Sequence, residues 1–259
     1  MGQTAKDFVK TSEEIGIMRQ GGQILGVILF KVKALIRPGL DVWALEEAFL
    51  SLCQQNNVKP SCKGYDPYGF SPFPTGLCVS INSQCVHCFP KKGVVLKDGD
   101  VVTIDTAISY KGLYVDSAFA VAVGKSSNKD KKLVETTEKA LYAAINEIAN
   151  DIRIGKISNK LQRTVERVGF NVLKDYAGHG IGKEMHEWPQ ILCYGSKNYG
   201  PKLKTGMTIC VESLVCTGND KVQNVTLWET KMKDGGKFAQ FEHTVLVKHN
   251  GYEILTLPK

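Results

Sequence analysis

Apolar residues recur along the chain in two textures, and each texture predicts a different kind of element. After Thr11 they fall at helical spacing, with Ile17, Ile24, Ile28, Val32 and Leu35 expected to face inward. Thr11-Ser12-Glu13-Glu14 opens this stretch with capping-box spacing, in which the Thr11 hydroxyl and the Glu14 carboxylate each satisfy a free backbone N–H. Pro38-Gly39 breaks the helix. A second helix begins after Asp41 and sets Val42, Leu45, Phe49 and Leu52 on one face. From Val101 the period shortens to two. Val101, Thr103, Asp105 and Ala107 alternate with Val102, Ile104 and Thr106, and Lys111-Gly112 predicts a hairpin turn into a strand over 113–123.

The second half repeats this order. A helix over about 131–149 is expected to bury Leu133, Leu141, Ile145 and Ile148. The break Ile152-Arg153-Ile154-Gly155 echoes Ile36-Arg37-Pro38-Gly39, and a further helix turns Leu161, Val165 and Val168 inward. The strand entrances align residue by residue: Leu96-Lys97-Asp98-Gly99-Asp100-Val101-Val102-Thr103-Ile104-Asp105 matches Leu203-Lys204-Thr205-Gly206-Met207-Thr208-Ile209-Cys210-Val211-Glu212. Leu, Lys and Gly recur in step, and both segments end on a carboxylate. The pattern predicts an α+β chain, residues 1–259 forming a single domain of two pseudo-repeat halves at about 11–124 and 130–257. Antiparallel strands from both halves would meet at a shared centre, in a pseudo-two-fold sheet flanked by two pairs of helices.

Four carboxylates sit inside the strand-like segments: Asp105 in Thr-Ile-Asp-Thr, Asp116 in Tyr-Val-Asp-Ser, Glu212 in Cys-Val-Glu-Ser and Glu242 in Gln-Phe-Glu-His. Asp and Glu are depleted in strands and rarely buried unpaired. Taken singly, each reads as a solvent-facing strand residue. Four together at matching repeat positions point to a buried acidic centre, which cations must neutralise because clustered like charges are costly away from water. His179 adds an imidazole within Gly178-His179-Gly180-Ile181-Gly182, where flanking glycines let backbone pack closely around the ring. Oxygen donors with one imidazole suit divalent Mn, Fe, Co or Zn. His87, His186 and His243 are further candidates, each beside a carboxylate strand or a Pro-bearing turn.

Composition narrows the classes. With 259 residues, 43% hydrophobic and 23% charged, the chain can bury a full core, and large-scale disorder is excluded. The apolar run at 24–30 is far shorter than the ~18–20 residues of a membrane span, so no membrane contact is expected. The net charge of +7 is spread over small clusters at 91–92, 129–132 and 231–237 and reads as a solvated basic face. Transient contact with a ribosome surface is the sharper alternative. No aromatic-interleaved basic motif marks specific nucleic-acid binding. Of eight cysteines only Cys85 and Cys88 form a close pair, so a zinc module would need Cys62 and Cys78 as well. No signal peptide precedes them, which predicts free thiols in a reducing, cytoplasmic compartment.

With these residues identified, the chain resembles type I methionine aminopeptidases, M24 metallopeptidases of the pita-bread fold. The likeness runs from about Thr11 to Leu257. It rests on Ser80-Ile81-Asn82 leading to Val86-His87, Leu96-Lys97-x-Gly99-Asp100-Val101-Val102-x-Ile104-Asp105, Gly178-His179-Gly180-Ile181-Gly182, His186-Glu187-x-Pro189 and Ala239-Gln240-Phe241-Glu242-His243-Thr244. The resemblance implies two divalent metal ions (Co, Mn, Fe or Zn). Asp105 would hold one, Asp116 and Glu242 would bridge both, and His179 and Glu212 would complete the other. It further implies water activated between the ions, with Glu212 managing the proton. His186 would stabilise the tetrahedral intermediate and His87 would hydrogen-bond the scissile peptide. The family's methionine pocket maps onto Cys62, Tyr65, Cys78, Met185 and Trp228, beside His87 and His186. Soft sulfur and aromatic walls suit an unbranched thioether, although each residue alone reads as ordinary core. The implied activity is removal of the N-terminal Met from nascent polypeptides when a small residue follows, by a cytoplasmic monomer.

Several positions depart from the family pattern. Ser213 follows Glu212 where Pro is usual, Cys88 and Phe89 follow His87 where Gly is usual, and Val115 precedes Asp116 where Gly is usual. Met185 stands where a pocket Phe is usual, and the stretch 66–76 is longer, with Pro67, Pro72 and Pro74. All are expected to crowd the substrate side. Two alternatives remain. A prolidase-type Xaa-Pro peptidase would carry a substantial N-terminal domain, for which there is no room before Thr11. A metal-free binding protein on the same fold would have lost ligands, whereas all five positions are filled here. The long helical insert of type II enzymes is absent between 182 and 242.

Overall fold

The computed structural model describes residues 5–67 and 69–258. A short 3-10 turn (Ala5–Phe8) leads into α1 (Ser12–Leu35), α2 (Trp43–Gln55), β1 (Lys59–Pro60), β2 (Cys78–Ile81), β3 (Val101–Tyr110) and β4 (Leu113–Ala122). The chain continues through α3 (Asn128–Ile145), α4 (Gly155–Glu166), β5 (Asn171–Val172), β6 (Ala177–Gly180), β7 (Glu187–Leu192) and β8 (Thr208–Cys216). It closes with β9 (Val222–Asn224), β10 (Thr230–Met232), β11 (Phe238–Val247) and β12 (Tyr252–Ile254).

Helix α1 begins as its sequence predicts. The Thr11 side chain accepts from the Glu14 N–H, and Glu14 Oε2 accepts from the Thr11 N–H at 2.7 Å. Its buried face, however, is rotated from the expected one. Met18, Leu25, Ile28, Leu29 and Val32 are buried, while Ile17, Ile24 and Leu35 are only half-buried. Glycines decide the rotation: a Cβ at Gly22 would stand 2.4 Å from the Leu255 carbonyl oxygen, and one at Gly26 would stand 2.7 Å from the Leu257 carbonyl carbon. The helix backbone therefore lies directly on the C-terminal segment, a contact that leaves no mark in apolar periodicity. By length and composition α1 is also apolar enough to cross a bilayer, with a mean hydropathy of 1.2, more than the run at 24–30 suggests. Its buried residues, 44% of that apolar window, belong to the protein's own core.

The other helices follow the pattern with shifted ends. Val42, Leu45 and Phe49 are buried beside α2, with Leu52 half-buried. Ser127 caps α3 earlier than expected, its side chain accepting from the Asp130 N–H, and Leu133, Leu141, Ile145 and Ile148 are buried. In α4 Leu161 and Val165 are buried, but Val168 lies beyond the last turn and is 38% exposed. The chain turns away there at Gly169, whose φ of 85° ends any helical continuation.

All strand pairs in the main sheet are antiparallel, in the order β1-β3-β4-β11-β8-β6-β7, with β2 on β3, β5 on β8 and β12 on β11. Lys111 and Gly112 both adopt positive φ, 49° and 83°, as a two-residue hairpin turn between β3 and β4 requires. Helix α1 packs on β3 and β4 with α2 beside it, and α3 packs on β8 and β11 with α4 beside it. The two strand pairs meet where β4 adjoins β11.

Candidate metal centre and adjoining pocket

One register row crosses the middle of the sheet. Asp105 on β3 faces Ala118 on β4, Ala118 faces Glu242 on β11, and Glu242 faces Glu212 on β8. Strand alternation puts Asp116, two residues from Ala118, on the same face. In the next row Thr244 on β11 faces Cys210 on β8, and Cys210 faces His179 on β6. The intervening residues point the other way, Val115 toward Gly21 of α1 and His243 toward Tyr142 of α3. Asp105, Asp116, His179, Glu212 and Glu242 thus converge on the face opposite the helices.

His179 is placed by the close approach of two neighbouring strands. A Cβ at Gly178 would stand 2.3 Å from the Cys210 carbonyl oxygen, and one at Gly180 would stand 2.2 Å from that of Trp188. Nδ1 donates to the Gly180 carbonyl at 2.8 Å, which leaves the Nε2 lone pair facing Glu242 Oε1, 3.9 Å away. Burial, then the charge of His186, pushes the His179 pKa down to about 3, so the ring is in its neutral, ligating form.

The carboxylates are shifted in the opposite direction. Burial pushes Asp105 up to about 6, and burial with Asp105's charge pushes Glu212 up to about 8. Asp116 and Glu242 lie well above the usual carboxylate range, through burial first and their acidic neighbours second. Among the described residues, Asp116 Oδ1 and Glu242 Oε1 are buried without a hydrogen bond. Each such atom costs roughly 1–3 kcal/mol, more when charged. Ligand atoms of Asp105, Asp116 and Glu242 fall within 4.8 Å of one another, as do those of His179, Cys210 and Glu242. Gln240 Nε2 donates to Glu212 Oε2 at 3.1 Å and to Glu242 Oε2 at 3.3 Å, tying the fourth carboxylate to this group. Orphaned oxygens, a free imidazole nitrogen and clustered acids that burial disfavours as anions fit divalent cations. Cys210 and Gln240 were not among the expected residues. Each lies two positions before an expected carboxylate, so strand parity was the signal that would have found them.

Beside the carboxylates lies a cavity of about 220 Å³. Cys62, Tyr65, Cys78, His87, Met185, His186 and Trp228 all line it, with Asp105 and Asp116 forming part of the wall. Pro67 and Phe73, from the longer 66–76 stretch, add to the wall beyond the expected set. Trp228 Nε1 donates to the Ser71 carbonyl at 3.1 Å, and the Glu46 carboxylate accepts from the N–H groups of Gly76 and Leu77 at 2.7 and 2.9 Å. These bonds hold the stretch against the pocket. His87 adopts a left-handed backbone, φ 60°, a conformation non-glycine residues avoid unless surrounding structure enforces it. Burial and then the charge of His186 hold the His87 pKa near 4. Tyr65 Oη lies 2.9 Å from His186 Nδ1, and burial lowers the His186 pKa.

Crowding of the substrate side is narrower than expected. Ser213 faces α3, its Oγ donating to the Thr137 carbonyl at 2.8 Å, and Val115 packs toward Gly21. Cys88 is absent from the cavity wall and donates to the Thr230 carbonyl at 3.2 Å. Phe89 touches only the back of the wall, edge-on to Phe73 at 6.0 Å between ring centroids. Met185 and the 66–76 stretch are the departures that reach the cavity. His243 is not part of the site, since its ring hydrogen-bonds Tyr142 Oη at 3.1 Å and Thr256 Oγ1 at 2.8 Å. Among the described residues all eight cysteines are free, and neither donor group contains Cys62, Cys78, Cys85 or Cys88, which removes the basis for a zinc module.

This fold and donor set are those of a metallopeptidase: residues 16–249 match metallopeptidase family M24, and the chain belongs to that family. It is 39% identical to methionine aminopeptidase 1 of Bacillus subtilis, over 95% of this chain and 98% of the relative. The crystal structure of methionine aminopeptidase from Thermotoga maritima superposes with a TM-score of 0.92 at 41% identity, covering 96% of this chain and 98% of that one. Prolidase from Pyrococcus furiosus superposes at 0.75 with 21% identity over 97% of this chain and 66% of its own length, a likeness of fold alone. The architecture is the expected pita-bread fold.

Proposed function

We propose that this chain is a metal-dependent aminopeptidase that removes the N-terminal methionine of nascent polypeptides when a small residue follows. One observation carries the reading: Asp105 and Asp116, grouped with Glu242, form part of the wall of a cavity otherwise lined largely by sulfur and aromatic side chains, and neutral His179 lies beside Glu242. Cys62, Cys78 and Met185 with Tyr65 and Trp228 suit a flexible thioether. The methionine aminopeptidase relatives support the same substrate. Glu242 belongs to both donor groups, which supports two ions sharing that carboxylate, and the donors admit Co, Mn, Fe or Zn. When bound, such ions neutralise the carboxylates and supply Lewis acidity at the scissile carbonyl.

The protein's own groups do the rest. The substrate's α-amine meets the metal centre where Asp105 and Asp116 reach the cavity wall, so a chain end binds there rather than an internal segment. Neutral His87 hydrogen-bonds the scissile peptide. Tyr65 Oη lies against His186 Nδ1 and orients the ring, and His186 stabilises the charge that develops on the carbonyl oxygen. Glu212 carries the proton of the attacking water to the leaving nitrogen. The protein acts as a cytoplasmic monomer, with transient ribosome contact through its excess of basic residues.

The test is to incubate metal-loaded protein with Met-Gly, Met-Ala, Met-Ser, Met-Leu and Xaa-Pro peptides and to read the new N-termini. Release of Met before Gly, Ala and Ser, but not Leu, is expected. Cleavage confined to Xaa-Pro would transfer the case to prolidase chemistry, and no turnover with Mn, Fe or Co would sink both peptidase readings. Asp116→Ala and Glu242→Ala are expected to abolish turnover while leaving the fold largely intact; normal turnover in either removes its bridging role.

A further inference from the structure

The sheet face that carries the carboxylates also carries a thiol. Cys210 lies two residues before Glu212 on β8, is fully buried, and stands in register between Thr244 and His179. Its Sγ, a His179 ring nitrogen and a Glu242 carboxylate oxygen fall within 4.8 Å of one another. Two independent features point to a ligand at this spot. Glu242 is 3% exposed, and its Oε1, 3.9 Å from His179 Nε2, has no hydrogen bond among the described residues. His179 Nδ1 is committed to the Gly180 carbonyl, so Nε2 presents a lone pair to the same spot.

The thiol lies within hydrogen-bonding reach of the Glu242 carboxylate, and its other neighbours leave the sulfur lone pairs available. Thr244 Oγ1, 3.6 Å from Cys210 Sγ, donates its own hydrogen to the Asp116 carbonyl at 2.8 Å and accepts from the Asp116 N–H at 2.9 Å. The sulfur lone pairs therefore take no hydrogen from it. The second donor group, Asp105, Asp116 and Glu242, consists of oxygen alone.

We propose that Cys210 Sγ is itself a metal ligand, joining His179 Nε2 and Glu242 around the ion on the His179 side. A soft sulfur donor there favours zinc, cobalt(II) or iron(II) over manganese(II), and it makes the two metal positions chemically unequal. On binding, the S–H bond is exchanged for an S–metal bond and the proton leaves to solvent; nothing is oxidised or reduced. This assignment rests on the metal centre of the proposed function and specifies the ion that centre selects.

The experiment strips the full chain with a chelator, titrates it with cobalt(II) alone, and records near-ultraviolet absorption. A sulfur-to-cobalt charge-transfer band is expected to grow in as the ion binds. The band should be absent from Cys210→Thr, whose β-branched side chain suits a strand, and should persist in the Cys62→Ser/Cys78→Ser double variant. Competition between zinc and manganese should show their affinity ratio falling about 10-fold or more in Cys210→Thr. Because the wild-type spectrum is itself diagnostic, a poorly folded variant does not blunt the test. Cobalt binding with methionine release but no sulfur band, or a band unchanged in Cys210→Thr, overturns the assignment while leaving the proposed function intact. Failure of the wild type to bind cobalt overturns both.

Discussion

Burial sets the protonation of the histidines, and their positions on the sheet decide which of them touch the site. His87 lines the cavity, whereas His243 sits on the helix-facing side with Tyr142 and Thr256; both have pKa values near 4. An ordinary imidazole titrates near 6.5, so between about 4 and 6.5 the folded chain holds fewer protons on these rings than the unfolded chain does. Their contribution to stability is present above that window and is lost as pH falls through it. The buried carboxylates, with raised pKa values, work in the opposite sense, so a difference between two proteins isolates the imidazole. Thermal midpoints of wild type and His243→Gln measured across the window should show the wild type losing ground to the variant as pH falls. A constant difference would refute the buried neutral assignment. At this scale the five expected donors were readable as acids and a histidine in apolar strands, whereas Cys210 and Gln240 are ordinary strand residues marked only by sharing the parity of Glu212 and Glu242.

The short segment between β6 and β7 shows how elements position side chains that the chemistry needs. Glu187 lies at the start of β7, and its carboxylate accepts from Lys10 Nζ at 2.6 Å and from the N–H groups of Lys183 and Glu184 at 2.7 and 3.2 Å. That clamp holds the turn bearing Met185 and His186. The side chains of Lys10 and Glu187 are only 4% and 8% exposed, so Lys10→Met leaves a carboxylate buried without its cation. Removing one partner of a buried pair typically costs about 3–5 kcal/mol, and the retained backbone donors set the expectation at the lower end. Urea unfolding should report that loss, together with a raised KM from the loosened turn; an unchanged midpoint would show that the clamp does not hold the turn. The rotated face of α1 teaches the same lesson from the other side. Gly22 and Gly26 give up side-chain burial for backbone contact, and a pattern of apolar residues carries no record of it.

For the molecule as a whole, the centre joins β3, β4, β11 and β8, strands contributed by both halves of the chain. Ions held there, as proposed, would link the halves and relieve the repulsion among Asp105, Asp116, Glu212 and Glu242. A ligand bound only by the folded chain and present at 100 times its Kd adds ~2.7 kcal/mol of stability. Chelator-stripped protein should therefore melt at a lower temperature in scanning calorimetry, and added cobalt or manganese should restore the higher midpoint. Asp116→Asn should lose most of that restoration. An ion-independent midpoint in the wild type would mean that the centre does not bind metal in the folded chain.

The sequence by itself determined what depends on neighbours along the chain: the capped start of α1, the breaks at Pro38-Gly39 and Gly155, the Lys111-Gly112 hairpin, and the echo that pairs Asp105 with Glu212. It also supplied the five donors, because acids in apolar strands and a histidine between glycines stand out locally, whereas the sulfur and aromatic residues of the cavity each read as ordinary core and were named only through the family resemblance. Only the tertiary structure decided which side of each strand meets the site. Parity groups residues onto two faces, but the packing of α1 and α3 chooses the face that is covered. That choice sent Ser213, Val115 and His243 to the helices and brought Cys210, Gln240 and Thr244 to the carboxylates. The register aligning Asp105, Ala118, Glu242 and Glu212 joins residues more than a hundred positions apart, and only the assembled sheet sets it.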